Sequence, residues 1–153
     1  MIVCENSVRI DRPVEAVFAY VAQGFFKNLK AWNPDLVELV PEGDQIVRKG
    51  ARAREAQVIQ GNRFDRTIEV TDFEPPKVFA IKSLGSTQQP TEHAVSRFSF
   101  STDGSGARLE YRFELEWQGF MYQSIPWLPK FFINKALSKN LGTMKKVLEG
   151  ENK

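Results

Sequence analysis

A chain of 153 residues with 42% hydrophobic content and a formal charge of +2 is large and apolar enough to bury a core as one domain over residues 1–153. So slight a charge does not point to nucleic acid. The single cysteine, Cys4, excludes an intrachain disulfide and a four-ligand cysteine metal site. No apolar run reaches the roughly 20 residues of a membrane-spanning helix, and the opening MIVCENSVRI reads as a strand rather than a signal peptide. The expected location is therefore the cytoplasm.

In the opening strand Ile2, Cys4, Asn6, Val8 and Ile10 share one face, while Glu5, Ser7 and Arg9 share the other. Asp11-Arg12-Pro13 ends it. Pro13 suits a first helical turn, Glu15 is spaced to reach back as in a capping box, and Val14, Val17, Phe18 and Val21 follow at helical spacing. Gly24 breaks this helix, and Phe25, Phe26, Leu29 and Trp32 predict a second short one before Asn33-Pro34.

From Asp35 to Trp117 the sequence predicts a meander of antiparallel strands. Its turns fall at Pro41-Glu42-Gly43-Asp44, Gly61-Asn62, Glu74-Pro75-Pro76, Gly85 to Pro90, and Asp103-Gly104-Ser105-Gly106. In the last strand Leu109, Tyr111, Phe113, Leu115 and Trp117 alternate with Arg108, Glu110, Arg112, Glu114 and Glu116, which requires one covered face and one wet one. From Pro129 to Leu148 a stripe of Ile133, Leu137, Leu141, Met144 and Leu148 predicts a helix of about 20 residues, roughly 30 Å long, as the cover. A curved sheet closed by a single long helix leaves room between them for a ligand.

From Pro126 onward six lysines (Lys130, Lys135, Lys139, Lys145, Lys146, Lys153) stand against Glu149 and Glu151, so this tail carries +4 and the preceding 125 residues −2. Such a face is read first as solvated, with an anionic surface as the alternative.

Several motifs carry a resemblance over nearly the whole chain. They are Ser7-Val8-Arg9-Ile10-Asp11-Arg12-Pro13-Val14-Glu15-Ala16-Val17-Phe18, Trp32-Asn33-Pro34 and Gly50-Ala51-Arg52-Ala53-Arg54-Glu55, then Ile68-Glu69-Val70-Thr71-Asp72-Phe73-Glu74-Pro75-Pro76, and the span from Phe98-Ser99-Phe100 to Gly106-Ala107-Arg108-Leu109. In this order the chain resembles the polyketide cyclase/dehydrase and lipid-transport family of the START-like (helix-grip, SRPBCC) superfamily. The resemblance implies an α+β helix-grip fold, with a curved antiparallel sheet of about seven strands (β-α-α-β6-α) wrapped around a long C-terminal helix. It also implies a cavity for a hydrophobic or amphipathic small molecule. No single catalytic motif comes with it.

Strand alternation nominates the inward polar groups: Asn6 and Tyr111 first, then Arg66, which shares a face with Phe64, Ile68 and Val70, and Glu55, which shares one with Ala51 and Ala53. Phe79, Ile81 and Ser83 line the next strand, Ser96, Phe98 and Phe100 the one after. With Phe113, Ile133 and Leu137 these give the expected ligand wall: Asn6, Glu55, Arg66, Ile68, Phe79, Ile81, Ser83, Ser96, Phe98, Tyr111, Phe113, Ile133 and Leu137. Paired, Glu55 and Arg66 could neutralise each other or orient a ligand's polar end.

His93 is the only histidine and falls out of phase with Ser96, Phe98 and Phe100, which turns it outward. No Gly-x-Ser-x-Gly elbow and no phosphate-binding glycine loop occurs, so no metal and no cofactor is expected. Phe25, Phe26, Phe120, Met121, Tyr122 and Trp127 are expected near the cavity mouth, as a lip or a plug. The leading expectation is a non-enzymatic carrier or sensor of a lipid, sterol, quinone or polyketide-like aromatic. Its rivals are a cyclase or dehydratase built on Glu55, Arg66 and Tyr111, and a module docking its basic helix on a membrane or ribosomal RNA.

Overall fold

The computed structural model describes residues 2–59, 61–86, 93–116 and 127–150. Strand β1 (Ile2–Ile10) leads into α1 (Val14–Phe18), a π-helical turn (Ala19–Gln23) and α2 (Phe25–Trp32). Six strands follow: β2 (Leu36–Pro41), β3 (Arg52–Ile59), β4 (Asn62–Glu74), β5 (Val78–Ser86), β6 (His93–Asp103) and β7 (Gly106–Glu116). The last element is α3 (Trp127–Leu148). All strands form one antiparallel sheet in the order β1-β7-β6-β5-β4-β3-β2.

The alternation in the sequence is the cause of this sheet's two-sidedness. Leu109, Tyr111 and Leu115 are buried, while Glu110, Arg112 and Glu116 are exposed. Charged residues on the wet face pair: within β7 Arg112 bonds Glu114 (2.7 Å), and across strands it also bonds Glu5 (2.7 Å), Arg97 bonds Asp72 (3.1 Å) and Glu69 is flanked by Arg52 and Lys82 (2.8 and 3.3 Å). These hydrogen bonds, Arg52's first, hold the Glu69 carboxyl below its ordinary range. The β6–β7 hairpin closes on Gly104-Ser105, with Asp103 opposite Gly106 and Gly104 at φ +63°, where a side chain would be strained.

Hydrophobic spacing in the first helices is realised, with Val14, Val17, Phe18 and Val21 all buried. The capping box is not. Pro13 is the N-cap of α1, no side chain caps it, and Glu15 is exposed. The acidic group that satisfies a backbone donor here comes from the other end of the chain, because Glu149 Oε2 accepts the Asp11 N–H at 2.7 Å. The Lys145 ammonium donates to Arg9 O (2.9 Å) and to Glu149 (2.6 Å), so the C-terminal end of α3 is fastened to the exit of β1.

Helix α3 begins at Trp127, two residues before the expected start at Pro129, since a proline is tolerated in a first turn. Along it Leu141 and Met144 are buried and Ile133, Leu137 and Leu148 are half-buried against the sheet. Trp117 and the turn from residue 87 to Pro90 lie outside the described residues. No helix among the described residues is long and apolar enough to cross a membrane.

Candidate cavity between sheet and helix

One end of the sheet's concave face is filled by rings. Phe18 packs on Phe73 and Phe100 (centroids 5.5 and 5.1 Å apart), Phe79 on Phe25 and Phe98 (5.1 and 5.9 Å). Towards the other end the inward residues become small. Following the register, Ile81 of β5 faces Ser96 of β6, and Ala94 faces Leu115 of β7; Ser83 lies two residues along from Ile81 on the same face. Large rings at Phe79 and Phe98 give way to Ser83, Ala94 and Ser96, which leave the inner face unfilled at this end. The result is a cavity of about 580 Å³ between the sheet, α2 and α3.

Most of the expected wall lines this space: Glu55, Arg66, Ile68, Ile81, Ser83, Ser96, Phe98, Tyr111, Phe113, Ile133 and Leu137. Two expected residues do not. Asn6 is diverted by α3, its amide Nδ2 donating to Asn134 Oδ1 at 3.0 Å, and Phe79 is wholly buried within the ring cluster. Alternation identifies the face a residue shares, not how far along that face the helix has closed. The wall also contains residues that sequence reasoning missed. Gln57, Ala94 and Leu115 share parity with Glu55, Ser96 and Tyr111 and were legible on that ground. Leu29, Trp32 and Asn33 from α2 and its exit, and Phe132, Ala136 and Asn140 from α3, depend on how the helices lie and had no such signal.

Two sets of polar side chains on the sheet are joined by short contacts. On β3 and β4, Glu55 is opposite Arg66, with side chains 6% and 14% exposed and Arg66 Nε 3.6 Å from Glu55 Oε1. Gln57, two residues along the same face, donates its Nε2 to the same oxygen at 3.0 Å. On β6 and β7 the Ser96 and Tyr111 hydroxyls lie 2.8 Å apart. Burial pushes the Tyr111 phenol well above its ordinary range against the opposing Ser96 bond, with further upward pushes from Glu55 and Cys4, so it is protonated at neutral pH. Across the cavity, Trp32 is buried and its Nε1 has no hydrogen-bond partner among the described residues. That is a donor left to desolvation at roughly 1–3 kcal/mol.

His93 is exposed at the start of β6. Cys4 is buried, which raises its thiol pKa and leaves it a small hydrophobe rather than a nucleophile. Among the described residues no group of three or more His, Cys, Asp or Glu side chains is placed to hold a metal ion. Phe25 belongs to the ring cluster and Phe26 is half-buried; Phe120, Met121, Tyr122 and the Trp127 side chain lie outside the described residues. The exposed aromatics of the described chain are Phe131 and Phe132 on α3, 60% and 54% exposed.

Solved structures share this architecture. The protein TTHA0849 from Thermus thermophilus superposes with a TM-score of 0.78 at 13% identity, covering 99% of each chain. Ara h 8.0201 gives 0.72 at 8% identity over 97% of each chain, and the major latex-like protein 151 of Panax ginseng gives 0.71 at 12% over 94% of each. At such identities the likeness is one of fold. No curated protein matches the chain in sequence. The family model described as polyketide cyclase/dehydrase and lipid transport matches residues 1–149. With that match over almost its full length, and with the helix-grip fold its neighbours share, the chain belongs to the polyketide cyclase/dehydrase and lipid-transport family.

Proposed function

We propose that this protein binds and carries, or senses, a hydrophobic or amphipathic small molecule in the cavity between sheet and α3. The observation that carries the reading is the cavity's division of labour. Its 580 Å³ is walled chiefly by apolar side chains, with polar side chains at Glu55, Gln57, Arg66 and Ser83 on β3 to β5, at Ser96 and Tyr111 on β6 and β7, and at Asn33, Asp35 and Asn140 on the helical side. A volume of this size suits a lipid chain, sterol, quinone or fused aromatic, and the family's description, which includes lipid transport, supports the same class. Native mass spectrometry of the purified protein, with chemical-shift mapping of added candidates, tests this. Co-purifying ligand and shifts confined to residues such as Ile68, Ser83 and Phe98 are expected. If no lipid, sterol, quinone or polyketide-like aromatic moves those signals at millimolar levels, the reading fails.

A second reading draws on the buried Glu55 carboxylate itself. Held between the Gln57 amide and the Arg66 guanidinium, it is placed to act as the general acid or base of a cyclase or dehydratase, with the protonated Tyr111 as donor to an enolate oxygen. Here Glu55→Gln abolishes turnover and leaves binding intact. Unchanged turnover in that variant discards the enzyme.

A further inference from the structure

Charge is distributed very differently on the two sides of this molecule. Most arginines on the outer sheet face are matched with carboxylates, as with Arg112, Arg97 and Arg108 (2.7, 3.1 and 3.0 Å). The helical side is not matched. Lys130, Lys135, Lys139 and Lys146 are exposed on α3 and form no ion pair among the described residues, and the same holds for Lys27 and Lys30 on α2, which packs against α3. The sequence places five lysines and no acidic residue between Glu116 and Glu149. Lys145 is the exception, taken up by Glu149 and Arg9 O.

The same helix carries the exposed ring pair Phe131 and Phe132, with centroids 5.5 Å apart. Phe132 is 54% exposed and also lines the cavity, so it stands in the mouth. Rings that could be buried elsewhere are held in water beside unmatched cations, where apolar insertion and attraction to lipid phosphate act together.

We infer that the α3 face bearing Phe131, Phe132 and the unpaired lysines docks on an anionic lipid surface, with the cavity mouth turned to the bilayer. Phe131 and Phe132 enter the acyl boundary and Lys135, Lys139 and Lys146 lie over the phosphates. The docking goes beyond ligand binding and does not depend on the ligand's identity.

Co-sedimentation with sucrose-loaded vesicles tests it on the full chain without added ligand. The protein is expected to pellet with phosphatidylcholine vesicles containing about a third phosphatidylglycerol and to remain in solution with phosphatidylcholine alone. At about 1 kcal/mol per basic residue near such a surface, each lysine is worth roughly fivefold in partitioning. Lys135→Gln, Lys139→Gln and Lys146→Gln together should lower it about a hundredfold. Phe131→Ser, which leaves the cavity lining untouched, should keep the preference for anionic lipid and lose the binding that survives in high salt. Circular dichroism checks that both variants fold. Equal binding to the two vesicle types, no binding to either, or binding that neither variant alters overturns the proposal. So does tighter retention by a structured RNA with no dependence on Phe131, the pattern of a phosphate-backbone contact. Loss of vesicle binding with ligand shifts retained rejects the docking and leaves the carrier standing.

Discussion

Two side-chain groups in the cavity give opposite answers to the question of what burial costs. Glu55 and Arg66 each carry a charge into a space where water is scarce; each is compensated by the other, and Glu55 also by the Gln57 amide. Removing one partner strands its mate, so Arg66→Met should destabilise the fold by about 3 kcal/mol in urea denaturation. Replacing both, as Glu55→Leu with Arg66→Met, should recover most of that loss, since paired apolar residues of similar volume replace buried ion pairs at little cost. The double variant should nevertheless fail to bind a polar-headed ligand. If it is as unstable as the single variant, the pair serves the fold and not the ligand. Trp32 Nε1 has no such compensation among the described residues. Trp32→Phe removes that donor with little change of shape, so it should leave stability in urea denaturation unchanged or raise it by about 1 kcal/mol.

Among elements, the sheet's tolerance should differ sharply from place to place. Ala94 is buried in β6 but stands at the cavity wall, where added atoms enter empty space. Ala94→Leu is expected to keep or raise the melting temperature, gaining up to about 1 kcal/mol from apolar contact, and to block ligand uptake. Gly106, at the start of β7, is the contrary case. A Cβ there would come within 2.6 Å of the Ile10 carbonyl oxygen and 2.8 Å of the Arg9 guanidinium. Backbone cannot give way as a side-chain tip can, so Gly106→Ala should cost about 2 kcal/mol by thermal unfolding. Both positions are buried and small. Only the packing around them separates a vacancy from a close approach.

For the whole molecule, burial of Tyr111 ties stability to alkaline pH. Desolvation raises its folded pKa above the unfolded value of about 10. Stability from keeping the phenol neutral is therefore full below pH 10 and is lost as pH climbs towards the folded value. Tyr20 is shifted upward by burial too and adds in the same direction. In a Tyr122→Phe background tyrosinate absorbance from Tyr20 and Tyr111 should thus emerge with unfolding rather than before it, and Tyr20→Phe with Tyr111→Phe should flatten the alkaline limb. Either of these two phenols titrating in the folded protein near pH 10 would refute this. The order of elements, the two-faced sheet and the stripe of α3 follow from the sequence itself, because periods of two and about 3.6 are local properties of the backbone. Inward parity of Glu55, Arg66 and Tyr111 was legible for the same reason. Tertiary structure alone decided where along the inner face space remains. That depends on Phe25 of α2 packing against Phe79, on Asn134 capturing Asn6, and on Glu149 capping the exit of β1 in place of Glu15. These contacts join residues far apart in the chain, and no local period records them.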